Sequence, residues 1–233
     1  MSNKLKAYIR FDSSGRIVPS SLILQRSMPK VGKWKEINAN ECCNPIPAPT
    51  EITIGTQIWT IKNLDVSTYA NGDPIINDSW GSLTTGQCCN YNNDPVNDAI
   101  YGKLYNWAAV NDPRGLAPVG YHVPTLAEWD ILTDFLGSIT VAGGKLKETG
   151  FTHWLDPNTG ATNESGFTAL GSGTRSWNGI FQVINQYTAF WTSTEQAFNT
   201  MQAHDKGIRS TSQGVNDYTT DKRSGFSVRL IKD

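Results

Sequence analysis

Three prolines in six residues, Asn44-Pro45-Ile46-Pro47-Ala48-Pro49, constrain this chain more than any other feature. Each removes a backbone donor and locks φ, so the segment can enter neither a helix interior nor a sheet interior and acts as an extended, semi-rigid spacer. The spacer divides the 233 residues into an N-terminal part, 1–40, a linker, 41–50, and a long C-terminal part, 51–233. Only the last is long enough to bury a sizeable core.

The N-terminal part reads as a small β arm. Ala7-Tyr8-Ile9-Arg10-Phe11 alternates, Asp12-Ser13-Ser14-Gly15 is turn chemistry, and Ser21-Leu22-Ile23-Leu24 resumes an extended pattern. Lys33-Trp34-Lys35-Glu36-Ile37 adds a third short strand. So few residues fold only against a partner, copies of themselves or the main domain, which makes the segment a candidate attachment or oligomerisation arm. Tyr8, Arg10, Phe11, Leu22, Leu24 and Trp34 are its candidate contact residues.

The C-terminal part predicts an α+β, β-rich domain with one or two short helices. Residues Glu51 to Ile61 alternate with period two about Gly55, a hairpin signal. From Asn71-Gly72-Asp73-Pro74 to Asn97 the chain is polar and reads as a long loop, and Tyr101 to Val110 as a short helix or extended aromatic segment. The clearest helix is Thr125 to Leu136: Thr125 and Glu128 form a capping box, Gly137 stops it, and Leu126, Trp129, Leu132 and Phe135 make the buried stripe. Gly225 to Ile231 alternates as a final strand. No fixed-period repeat is visible, which argues against a solenoid or propeller.

Charge and composition exclude several functions. Twenty Lys and Arg against 21 Asp and Glu leave a net charge of -1, so no basic field drives nucleic-acid binding. No apolar run approaches the roughly 20 residues that span a bilayer, and membrane insertion is not expected. The start, Met1-Ser2-Asn3-Lys4-Leu5-Lys6, reads as a native N-terminus without a leader. The cysteines form two adjacent pairs, Cys42-Cys43 and Cys88-Cys89. Neighbours do not readily bond each other and the spacing is not that of a zinc site; reduced thiols in loops and cross-pairing of the doublets both remain open.

Catalytic chemistry finds no foothold in the sequence. His122, His153 and His204 are scattered, and His122 stands beside the helix cap, where a structural hydrogen bond suits it. Ser193 lacks a nucleophile elbow. Nothing sets the separation of Glu148, Glu164 and Glu195 that paired-carboxylate chemistry needs. Asn92-Asn93-Asp94 and Asn216-Asp217 read as solvated turns. The expectation is a non-catalytic protein with no cofactor and no metal. Trp191 is expected in the core, while Trp154, Trp177 and Tyr218, in Gly-, Asn- and Thr-rich stretches, are the candidate exposed ligand-binding residues.

Specific strings carry a resemblance. They are Trp59 with Lys62-Asn63-Leu64-Asp65, Tyr101-Gly102-Lys103-Leu104-Tyr105-Asn106-Trp107, Gly120-Tyr121-His122-Val123-Pro124-Thr125 with Glu128-Trp129, and Gly143-Gly144-Lys145-Leu146-Lys147. Asn163-Glu164-Ser165-Gly166-Phe167, Phe190-Trp191-Thr192-Ser193-Thr194-Glu195 and Gly225-Phe226-Ser227-Val228-Arg229 follow in order. Together they resemble the Fibrobacter succinogenes major paralogous domain, found in secreted and surface proteins of Bacteroidota-type bacteria and in their phages. The resemblance implies a fold similar to C-type-lectin-like domains and formylglycine-generating enzymes. The copper-binding cysteine pair of those enzymes has no counterpart, since no cysteine follows Cys89, and the calcium-site strings of sugar-binding lectins are absent.

These features lead to the expectation of a virion structural protein of a phage of Bacteroidota, a fibre or decoration subunit, with a head fibre favoured over a tail fibre. A homotrimer would attach to a capsid or tail protein through the arm and display a lectin-like head for cell-surface glycan or protein. The alternative is a secreted or cell-surface bacterial binding module.

Overall fold

The computed structural model describes residues 6–11, 23–25, 33–37, 51–76 and 80–233, the first three segments by their backbone. The chain divides into two compact units, residues 1–48 and 49–233. In the smaller unit β1 (Lys6–Phe11) lies between β2 (Ile23–Gln25) and β3 (Lys33–Ile37), antiparallel to both, with Tyr8 opposite Ile23 and Arg10 opposite Trp34. Leu24 falls in β2, whereas Leu22, the Asp12–Gly15 turn, the linker and Cys42-Cys43 lie outside the described residues.

The larger unit is β-rich, with four short α-helices and several small sheets among its described residues. It begins with β4 (Glu51–Ile54) and β5 (Gln57–Thr60), a hairpin turning at Gly55, whose φ of +61° suits glycine. β6 (Cys88–Cys89), α1 (Pro95–Tyr101), β7 (Leu104–Tyr105), α2 (Trp107–Val110) and β8 (Tyr121–His122) follow, then α3 (Leu126–Phe135) and α4 (Ala142–Leu146). The remainder is β9 (Thr174–Arg175), β10 (Phe181–Gln182), β11 (Tyr187–Glu195), β12 (Gln202–Arg209), β13 (Val215–Asp221) and β14 (Ile231–Lys232). β14 inserts between β5 and β8, with Ile231 opposite both Trp59 and His122, so the two ends of the unit share one sheet.

β11, β12 and β13 form an antiparallel meander at the centre. Successive side chains of a strand point to opposite faces, and on β11 this separates two cores. Phe190 joins Trp59, Trp129, Leu132, Trp154 and Phe167 on one side, while Trp191 joins Tyr105, Trp107, Phe226 and Val228 on the other. Trp191 is fully buried, as its place in the string Phe190–Glu195 of the resemblance implies, and its indole donates to the Tyr105 carbonyl at 2.8 Å.

Several local expectations need correction. The loop before Asn97 contains β6, which pairs with β7, because the buried Asn106 side chain accepts from Gln87 N at 2.7 Å and donates to the Ser82 and Thr85 carbonyls. Cys88 and Cys89 are therefore buried strand residues with free thiols. The segment Tyr101–Val110 is neither one helix nor one strand but the end of α1, then β7, then α2. In α3 the capping box is present, yet Phe135 is exposed and Leu136 takes the inward position, because the Phe135 ring packs over Gly55. From Gly225 to Ile231 the chain is not one strand: Gly225, Phe226 and Ser227 bridge separately to Arg175, Tyr105 and Phe190, and only Ile231–Lys232 enters a sheet.

Candidate functional site

An open groove of about 300 Å³ lies on the face of the meander covered by the β9–β10 hairpin. Its lining comes from Thr174, Arg175 and Ser176 of the hairpin, Tyr187 of β11, Arg209 of β12, and Tyr218 and Thr220 of β13. Gln182, Ser224 and Phe226 complete it. Strand alternation places Asp205, Gly207 and Arg209 on one face of β12, and Tyr218 and Thr220 on the matching face of β13. Gly207 is needed there because a Cβ would meet the Tyr187 hydroxyl oxygen at 2.3 Å; the missing side chain lets the Tyr187 ring lie across the strand.

Aromatic rings hold the groove's two guanidinium groups. Arg209 sits 4.8 Å from the centre of the Tyr187 ring and reaches the Tyr218 hydroxyl at 3.4 Å. Arg175 lies 4.3 Å from the Trp80 ring and 4.8 Å from Phe181, and its Nε donates to the Gly179 carbonyl. Beside them on β12, Asp205 is buried and accepts a 2.6 Å hydrogen bond from Thr220 Oγ1, while its Oδ1 has no partner among the described residues. Burial, opposed by that hydroxyl and helped by the Asp217 charge, pushes its carboxyl up to about 7.

Apart from Phe226, which reaches the groove lining, the strings on which the resemblance rests build the framework. Arg229 is buried and donates to Asn63 Oδ1 at 2.6 Å, to the Thr60 and Phe167 carbonyls at 2.8 Å and to the Thr168 carbonyl at 3.0 Å. Lys147 is buried with its ammonium shared by the carbonyls of Thr159, Arg209 and Ser212. His122 stands between Asp233 at 2.7 Å and Glu128 at 2.9 Å; desolvation works against its charge, but the two carboxylates hold its pKa above the ordinary value. The model of the Fibrobacter succinogenes major domain matches residues 52–232. The chain belongs to this family. Neither a curated protein nor a solved structure matches the chain.

Within this Fibrobacter major domain the three aromatic candidates part company. Tyr218 lines the groove. Trp177 is exposed at the turn of the β9–β10 hairpin, with Arg223 stacked 4.9 Å from its ring. Trp154 does not belong to any surface: it is completely buried, its indole donates to the Ala169 carbonyl at 2.8 Å, and it packs with Phe167 and Leu146. Its Gly- and Asn-rich flanks suggested a solvated loop, but they are tight turns folded over a buried ring. Sequence reasoning missed Arg175 and Arg209 and had no ground to choose Tyr187 among the aromatics; the three stand apart in the chain, and only the pairing of β11 with β12 and the hairpin's position bring them together.

The residues weighed for catalysis are dispersed. Glu148 pairs with His153 at 2.9 Å, Glu164 with Lys145 at 2.8 Å, and Glu195 with Lys222. Burial pushes the Cys88 thiol up to about 11, which removes its nucleophilic form near neutral pH. A second cavity, of about 250 Å³, is lined by Lys62, Asp65, Asp98, Glu148 and Arg229 among others. No group of three or more His, Cys, Asp or Glu suited to a metal ion occurs among the described residues, and none of their helices is long and apolar enough to cross a membrane.

Proposed function

We propose that this Fibrobacter major domain protein is a non-catalytic display module: a fibre or decoration subunit of a phage of Bacteroidota, head fibre before tail fibre, with a lectin-like head. In this reading the N-terminal three-stranded unit attaches to a capsid or tail protein and assembles the chain as a trimer. The larger unit presents its groove to glycan or protein on the host surface. The observation that carries the binding role is the groove itself, where stacked arginines and tyrosines stand among the hydroxyls of Thr174, Ser176, Thr220 and Ser224. Such a surface holds a ligand by stacking and hydrogen bonding. The separate ion pairs of Glu148, Glu164 and Glu195 support the non-catalytic part.

Two measurements on the full chain test the proposal. Light scattering after size exclusion is expected to give the mass of a trimer, and fluorescently labelled protein is expected to decorate Bacteroidota cells. A monomer that still labels cells would favour a secreted or cell-surface bacterial binding module. Failure to label a panel of such cells would remove the host-binding role.

A further inference from the structure

The charge of the groove is one-sided. Outside the core, the other arginines of the larger unit are neutralised, Arg114 by Asp73 and Asp112 and Arg223 by Asp221, while the buried Arg229 is taken up by framework carbonyls and Asn63. Arg175 and Arg209 are different. They are held by rings, a carbonyl and a phenol, all uncharged, and among the described residues neither has a carboxylate partner. No carboxylate occurs among the described residues that line the groove. A guanidinium offers a rigid planar fork of donors that matches a carboxylate, and here two of them are oriented in advance without a counter-charge.

The geometry points to an acidic saccharide unit, a sugar ring bearing a carboxylate, as the ligand of this groove. The inference rests on reading the groove as the display site. Arg209 and Arg175 answer the carboxylate, Tyr218 lines the groove beside them and offers its ring to the C–H side of a sugar, and the hydroxyls of Thr174, Ser176, Thr220 and Ser224 pair with sugar hydroxyls. A volume of about 300 Å³ is at the small end of ligand sites, the size of a sugar unit rather than of a docked helix or strand. Asp205 is the opposing charge on the same strand face; bonded to Thr220 and desolvated, it is largely uncharged below about pH 7.

The test uses the full chain at pH 6.5 and low salt, titrated by calorimetry with an oligosaccharide ending in glucuronic acid and with its glucose-ending counterpart. The acidic probe is expected to bind at least about tenfold more tightly, by an amount that shrinks as salt is added. Arg209 is exposed, so Arg209→Gln is expected to keep the melting curve and lose the preference, and Arg209→Lys to restore only part of it. Equal binding of the two probes, a preference that survives Arg209→Gln, or no binding of either probe would each overturn the acidic-saccharide assignment. The display reading fails separately, by the absence of cell labelling, and stands if a neutral sugar binds in the same groove.

Discussion

Arg229 and Asp205 show opposite ways of keeping a charged residue inside this protein. Arg229 places its donors on the carbonyls of Thr60, Phe167 and Thr168 and on Asn63, with its guanidinium 4.3 Å from the Phe167 ring. Burial pulls its pKa down to about 9, yet charge-assisted bonds hold the cation where it also joins its own stretch to residues 60–63 and 167–168. Arg229→Met leaves those carbonyls unpaired and is expected to cost about 3–5 kcal/mol, seen as a lower midpoint in urea unfolding; an unchanged midpoint would refute the structural role. Asp205 instead has its carboxyl raised from the ordinary 3.8 to about 7. Between those values the folded protein binds the extra proton, so its contribution to stability is complete below about pH 4 and is lost as the pH rises through 7. The unfolding free energy is therefore expected to fall between pH 5 and pH 8, and Asp205→Asn to remove part of that slope. An identical slope in the variant would place the titration elsewhere.

At the scale of elements, α3 is a helix for local reasons and the meander is a sheet for distant ones. The Thr125 hydroxyl accepts from Glu128 N at 3.2 Å and the Glu128 carboxylate accepts from Thr125 N at 2.8 Å. Thr125→Ala is expected to cost about 1 kcal/mol in thermal or urea unfolding, with Glu128→Ala disrupting the same cap. In β12 the alternation that marks a strand is obscured, because Asp205, Lys206 and Gly207 are buried in succession. Lys206 is tolerated on its side only through Asp130 and Asp217, and Gly207 only because Tyr187 fills the space it leaves. These partners belong to other elements, so no local pattern announced β12. The hairpin at Gly55 and the helix stripe of Trp129 and Leu132 were legible for the converse reason: a turn glycine and a 3.6-residue period express themselves within a few residues.

Across the whole larger unit, closure depends on the last residues. Ile231 lies in the sheet between Trp59 and His122, Asp233 meets His122, and Lys232 meets Glu51. Removing residues 231–233 is expected to lower the thermal midpoint by several degrees and to increase hydrogen exchange in β5 and β8 first; protection that falls evenly or not at all would show that β14 is not the closing strand.

The sequence alone determined the capped helix, the β-rich class and, through its ordered strings, membership of the Fibrobacter major domain family, because these reside in local chemistry or in residues that build the frame. Only the tertiary structure decided which aromatic is surface and which is core. It buried Trp154, left Trp177 exposed, and brought Arg175, Tyr187, Arg209 and Tyr218 around one groove. The physical reason is that burial and convergence are set by strand pairing between distant segments, and a turn-rich sequence looks the same whether its turns face water or enclose a ring.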